Sequence, residues 1–463
     1  MAKIVIIGAG PTGLSAAYHL EQKGFYDYLL FEKEDDTGGL CRSVQQDGFT
    51  FDYTGHLLHI NDDYFRQFIQ NVVGLENLDV VNRRSWIYSH TTYTRYPYQM
   101  NLYGLPPEII ADCIEGYINR STTLKNPKNF EQWVLKHFGK GFGDNFFFPF
   151  DSKKNAYPAQ QLSTSWMGRF VPQTNLRDII QGAVAAGSSP VGYNANFLYP
   201  KKGGIQFWVQ KIAQQLKNPI KKGYCVTAID IPHKRIHFSN GHTELFEQLI
   251  STMPLDYLLK NSNGIQPSLK NATKKLLCNS VVNFNLGIKR ENLSDKHWIY
   301  MPEKQYPFYR LGFWHNFSPS MAPQGCSSLY GEFSHIKASA QKIETLLQTS
   351  LSQTKQLLGI SNHEIMTQKV LNIPHAYVIY DQWREKNLPT IIERLKDLTI
   401  HSVGRYGEWK YSSMQEAILD GKKIADRVIV LPARTYSLHT VVPSENSNEK
   451  DRNKQPSTFK HTG

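Results

Sequence analysis

The sequence of 463 residues predicts an α/β protein made of a discontinuous α/β unit, a helical region and an antiparallel sheet. Three observations predict it. The chain opens on a strand, a glycine-rich turn and a helix in immediate succession. From Leu105 the apolar residues recur at helical spacing, and from about residue 234 the alternation of strands resumes. Length alone implies two or three subdomains, because one hydrophobic core does not serve a chain of this size.

The opening element, KIVII at 3–7, reads as a buried parallel strand. Residues 12–23 form a helix with Leu14, Ala17 and Leu20 on one face, and DYLLFE at 27–32 is a second strand. A glycine-rich loop, DTGGLCRS at 36–43, and an extended aromatic stretch at 48–60 follow. In LPPEIIADCIEGYI, Ile109, Ile110, Cys113, Ile114 and Tyr117 share a helical face, and Pro106 and Pro107 mark its start. NFEQWVLKHFG has Asn129 as N-cap and Gly139 as stop, and 175–187 is a third helix. Later, KRIHFSNGHTELF at 234–246 carries Asn240-Gly241 between alternating runs, a hairpin signal, and QLISTMP at 248–254 reads as a separate short strand. Residues 280–333 alternate as antiparallel strands. Residues 398–409 give a strand and glycine loop, and 413–428 a helix. The expected domains are 1–60, 199–253 and 399–432 as the α/β unit, 104–190 as the helical region, and 61–103 with 254–398 as mainly antiparallel sheet. Residues 433–463 read as a disordered polar tail.

The formal charge is +12, little of it in the last twenty residues, and no run of five basic residues occurs. That fits a basic globular protein or a charged cleft for a phosphorylated ligand. Five scattered cysteines without a C-x-x-C spacing favour a reduced, cytoplasmic protein, and no metal site is expected. No apolar run approaches the length needed to span a bilayer.

The spacing Gly8-x-Gly10-x-x-Gly13 after a strand answers a specific need. Gly8 permits the tight turn, Gly10 lets a pyrophosphate approach the backbone, and Gly13 allows close helix–strand contact. The helix N-terminus behind Pro11 and Thr12 offers unpaired N–H groups to the anion. Glu32 closes the second strand, placed for a ribose hydroxyl. This is a dinucleotide site in a Rossmann-like unit. The second cluster, Gly38-Gly39-Leu40 with Arg42 nearby, favours FAD over a nicotinamide nucleotide. FGKGFGDN at 138–145 offers no second site, having neither preceding strand nor following helix. The late helix from Met414 and Gln415 points its positive end at the flavin.

With GGLCRS…GFTFDYTGHLLH, YPYQMNLYGLP, GYNANFLYPKKGGI, STMPLDYL, WIYMPEKQYPFYR, NFSP, PHAYVIY and GRYGEWKY in this order, the sequence resembles UDP-galactopyranose mutases, more closely the eukaryotic type. These lie within the superfamily of flavin amine oxidases and protoporphyrinogen oxidases. The resemblance implies that His56 lies on the loop beside the reactive flavin edge and that Arg405 contacts the cofactor. It places Arg83 and Ser85 near the flavin or the reducing cofactor, with NADPH as reductant. Tyr96 and Gln99 form the uridine pocket, Asn194 lines the cleft, and Tyr300, Arg310, Tyr377 and Tyr411 hold the diphosphate.

The implied activity is a redox-neutral pyranose/furanose mutase on a nucleotide sugar, with N5 of reduced, non-covalently bound FAD as nucleophile at the anomeric carbon. The alternatives are an FAD-dependent oxidoreductase, with Tyr377, Tyr411 and Trp409 as an aromatic cage, and an FAD-bound protein without turnover. Departures from the family pattern gather at the substrate. Phe150, Asp151 and Asn155 stand where a Tyr–Asn pair and a Trp are expected. The family's first diphosphate arginine falls at Phe170, with Arg169 one position early, and His59 replaces an aromatic residue.

Overall fold

The computed structural model describes residues 2–121, 123–167, 171–187 and 195–430. The expected tail therefore lies outside the described residues, as do Arg169, Phe170 and Asn194.

The opening strand β1 (Ala2–Ile7) and helix α1 (Pro11–Gln22) are followed by strand β2 (Tyr28–Phe31). β1 pairs in parallel with β2 on one side and with Thr243–Ser251 on the other. Ile4 and Ile6 enter one apolar core while Val5 and Ile7 enter another, so both faces of the strand are covered. That is why the run is continuously apolar rather than alternating. The sheet runs through Ser262–Asn263, Val226–Asp230, Arg235–Phe238, Thr243–Ser251, β1, β2 and Ile220–Lys221, and Ile400–Ser402 joins alongside Thr243–Ser251.

The hairpin at Asn240-Gly241 forms, with Gly241 at φ +82°. Its second arm and the separate strand expected at 248–254 are one strand. Thr243–Ser251 pairs antiparallel with Arg235–Phe238 at its start and parallel with β1 further on. One strand thus carries the chain from a local hairpin into the central sheet.

A second sheet has the order Ile365–Ile373, Ser280–Ile288, Ser327–His335, Arg310–Phe313, Trp298–Tyr300, Ser85–Ser89 and Thr92–Arg95. All its pairs are antiparallel except Trp298–Tyr300 with Ser85–Ser89. The expected helices appear at Pro107–Ile118, Phe130–His137 and Leu176–Val184, with Asn129 and Asn175 accepting from the backbone N–H three residues on. FGKGFGDN is itself mostly helical, over Gly139–Phe142 and the wide turn Gly143–Phe147, and the helix Phe148–Asn155 does follow it. Its glycines serve packing: a Cβ on Gly141 would sit 2.0 Å from the Asp112 carbonyl of the neighbouring helix.

Candidate active site

Two glycine turns face each other at the head of α1. Gly8 takes φ +98°, and a Cβ at Gly13 would lie 1.9 Å from the Gly8 carbonyl, so a side chain there would drive α1 off the strand. Gly10 is the N-cap of α1 and provides no capping side chain, with Pro11 at the first helical position. A Cβ on Gly39 would point at the Gly10 Cα at 3.4 Å, and the Gly38 N–H donates to the Ala9 carbonyl at 2.8 Å. The result is a narrow cradle of bare backbone that side chains would fill. Glu32 is buried; one carboxylate oxygen accepts from Ala9 N–H at 2.7 Å and the other from Glu34 N–H at 3.1 Å. It braces the turn, and each oxygen retains a further acceptor site. Thr12 is buried under Gly404, whose Cβ would meet the Thr12 hydroxyl at 2.6 Å.

The helix Met414–Val430 crosses α1, and Ser15 Oγ donates to the Ile418 carbonyl at 2.7 Å. Its first turn is closed by Ser413 and Glu416, each accepting from the other's backbone N–H. Met414 is buried in the core. Gln415 accepts from Asn61 N–H at 2.7 Å through its side-chain oxygen, which ties the helix to the loop after His56. Leu40, like Tyr53, Phe150 and Tyr377, packs against the buried cluster of Val281, Tyr309, Ile373 and Ala376.

A cleft beyond the cradle gathers most of the remaining residues singled out above. Arg310 sits directly across from Glu332 in adjacent strands and grips it with two nitrogens, Nε at 3.0 Å and Nη2 at 2.7 Å. Glu332 is fully buried, and the Arg310 guanidinium also lies against the rings of Tyr309 and Tyr330. Arg405 donates to the carbonyls of Ser412 and Ala376 and faces the rings of Tyr377, Tyr406 and Tyr411. Its described partners are carbonyls and rings, not a carboxylate. Burial, then the charges of Arg405 and Arg310, pushes His56 down to about 4, so its imidazole is neutral at neutral pH. Tyr96 and Tyr300 have ring centroids 5.3 Å apart, with Phe150 edge-on to Tyr300 and Arg83 over Tyr96. His59 reaches the Asn196 carbonyl and the edge of Phe197, and burial lowers its pKa. Ser85 is buried in the strand beside Trp298.

Gln99 is 1% exposed and donates to the Pro172 carbonyl at 2.6 Å, which braces the loop behind Tyr96. Trp409, expected in an aromatic cage, is fully buried under the first sheet, and its carbonyl is held by Arg384. At φ +49° the backbone there turns the indole inward. Trp166 takes that place instead, in a pocket with Tyr377, Tyr380 and Tyr411. Sequence reasoning also missed the acid partner Glu332, the rings of Tyr309 and Tyr330, and an Asp151–Lys154 ion pair of 2.7 Å. The last had a signal in DSKK, since positions three apart share a helix face.

Residues 11–429 match the family described as flavin containing amine oxidoreductase. The chain belongs to that family. The backbone cradle suits an extended dinucleotide cofactor, and family membership supports FAD. Among solved structures, the chain is similar to reduced UDP-galactopyranose mutase, with 30% identity over 93% of this chain and 94% of that one and a TM-score of 0.86. It shares its fold with a candidate protoporphyrinogen oxidase from Exiguobacterium sp. 255-15, with 16% identity over 92% and 98% of the two chains and a TM-score of 0.71. Among curated proteins it matches 4,4'-diapophytoene desaturase of Staphylococcus aureus (strain COL), with 34% identity over 91 residues. That stretch covers 20% of this chain and 18% of the desaturase. Among the described residues no helix is long and apolar enough to cross a membrane, and no cluster of three metal-ligating side chains occurs.

Proposed function

We propose that this protein is a flavin-dependent nucleotide-sugar mutase that interconverts pyranose and furanose forms. The observation that carries the reading is the match to reduced UDP-galactopyranose mutase over nearly the full length of both chains. Gly8, Gly10, Pro11, Thr12 and Gly13 would hold the FAD pyrophosphate at the head of α1, with Glu32 at the ribose and Gly38, Gly39 and Leu40 beneath the cofactor. Arg405, Met414 and Gln415 would close the flavin end. Reduced FAD, when bound, supplies a nucleophilic N5 for the anomeric carbon.

The chain's own residues then bind and orient. Arg310, Tyr300, Tyr377 and Tyr411 hold the diphosphate while its bond to the sugar breaks and reforms, and Tyr96 and Gln99 border the base. Asn194 and Arg169, which lie outside the described residues, stay candidate substrate contacts on the resemblance alone. His56, neutral, presents a polar edge without adding charge beside the cofactor. Because ring contraction changes no oxidation state, the site needs no electron acceptor. One initial reduction suffices, with NADPH reaching the face of Arg83 and Ser85 as donor.

The second reading is an FAD-dependent oxidoreductase, favoured by the aromatic pocket of Trp166, Tyr377, Tyr380 and Tyr411. The cations Arg310, Arg405 and Lys154 around that cleft oppose a protonated amine and suit an anion. Titrating the FAD-loaded protein with a panel of nucleotide sugars and of amines separates the two. The mutase reading expects nucleotide sugars to perturb the flavin spectrum and amines to leave it unchanged. Bleaching of oxidised flavin by an amine, with no response to any nucleotide sugar, would overturn it.

A further inference from the structure

The helix Phe148–Asn155 carries two residues to the cleft. Phe150 packs edge-on against Tyr300, and Lys154, one turn on, lines the pocket with Trp166, Tyr377, Tyr380 and Tyr411. The Lys154 side chain is 19% exposed, and its ammonium lies 2.7 Å from the Asp151 carboxylate and 4.9 Å from the Trp166 ring centroid. An ammonium has three donors, and this ion pair uses one.

The position is fixed by the fold. Asn279 donates from Nδ2 to the Lys154 carbonyl at 2.8 Å and accepts at Oδ1 from Tyr377 N–H, also at 2.8 Å. Ser334 Oγ donates to the same Lys154 carbonyl at 2.7 Å. The backbones of Lys154 and Tyr377 are thus pinned to one asparagine, so the ammonium and the tyrosine form a single surface. Arg310, on the other flank, spends two nitrogens on Glu332. A diphosphate carries more negative charge than that partly neutralised arginine balances.

We propose that Lys154 is the second cation of the diphosphate subsite, acting with Arg310 across Tyr377 and Tyr411, and that Asp151 is a positioning residue that holds the ammonium in place. The inference rests on the nucleotide-sugar reading and gives the cleft a second positive charge beside Arg310. A lysine can serve here because a phosphate group accepts a point charge as well as a planar fork.

The test is calorimetric titration of the FAD-loaded full-length protein with UDP and with uridine. Wild type is expected to bind UDP much more tightly than uridine. Lys154→Met should weaken UDP by about tenfold or more while leaving uridine unchanged, and Lys154→Arg should recover most of the loss. Asp151→Asn/Lys154→Met removes both charges together and should show the same selective loss. It serves in place of the single variant if that one loses its flavin. UDP binding equal to wild type in these variants, or an equal loss of UDP and uridine, overturns the role of Lys154 while the mutase reading stands. Wild-type protein that binds UDP no better than uridine overturns the nucleotide-diphosphate reading and this inference with it.

Discussion

The cradle at the head of α1 and the cleft beyond it are built in different ways. In the cradle the backbone does the work: Gly8, Gly10, Gly13 and Gly39 matter because they carry no side chain, and Glu32 braces the turn with one bond to each oxygen. In the cleft side chains do the work, through pairs of opposite charge and through arginines and rings brought together from several segments. A backbone site is all-or-none, since one methyl group in the wrong place closes it. A charge-paired site is graded, because each ion has a partner whose fate must be counted when the ion is removed.

The largest expected effect is on the cradle. Gly13→Ala puts a methyl group 1.9 Å from the Gly8 carbonyl, so the purified protein should be colourless and resist reconstitution with FAD. Variants of the cleft should stay yellow. Wild-type FAD content in Gly13→Ala would erase the distinction between the two regions.

Next is Arg310→Ala, which strands the fully buried Glu332. The expected loss of stability is about 3–5 kcal/mol, measured by denaturant unfolding of the holoprotein. Adding Glu332→Gln should return much of the stability without returning UDP binding. A double variant that regains both would show that Arg310 is structural only.

The histidines give a graded effect of the same kind. Burial pushes His56, His297 and His401 each down to about 4, aided by Arg405 and Arg310 at His56, by Arg84 at His297, and by Arg427 and Lys396 at His401. Unfolded, each titrates near about 6.5. Between these values the unfolded chain binds more protons, so stability should fall as the pH drops from about 6.5 to about 4. Asp52, raised by burial to about 6, acts in the opposite sense over the lower part of that window and softens the decline. Thermal melts across this range check the slope, and His401→Gln should flatten it. A melting temperature that rises on acidification would contradict the assignment.

Smaller again is Glu32→Ala. It unmakes the bonds to Ala9 and Glu34 and should weaken FAD retention by about 1–3 kcal/mol, read as the equilibrium loss of flavin on dilution. Gln415→Ala loses one bond to Asn61 and should cost about 1 kcal/mol. Equal and severe loss from both would mean that side chains, not backbone, dominate the cradle.

What the sequence disclosed follows the same division. The strand, the three glycines, α1 and Glu32 are contiguous, and their spacing is set by local geometry, so they were legible. The hairpin at Asn240-Gly241 was legible for the same reason, yet its continuation into the central sheet was not, because a strand's second partner leaves no local mark. Arg310 was singled out without Glu332, since the two meet only through the register of strands that lie 22 residues apart along the chain. Trp409 was misplaced because an aromatic beside two others reads as a cage until the backbone turn that buries it is seen. Gln99 and Gln415 make their described bonds to the backbone, a pairing that residue type alone does not disclose.

The most direct test of the proposed chemistry is an anaerobic one. The FAD-loaded protein is reduced once with dithionite, freed of excess reductant, and given UDP-galactopyranose and other nucleotide sugars in turn, with the flavin spectrum and the sugar products followed together. The account predicts many turnovers of pyranose–furanose interconversion of one such substrate with the flavin still reduced, and no turnover by oxidised protein. Substrate-dependent peroxide formation by oxidised protein in air, with no furanose from any reduced sample, would contradict it.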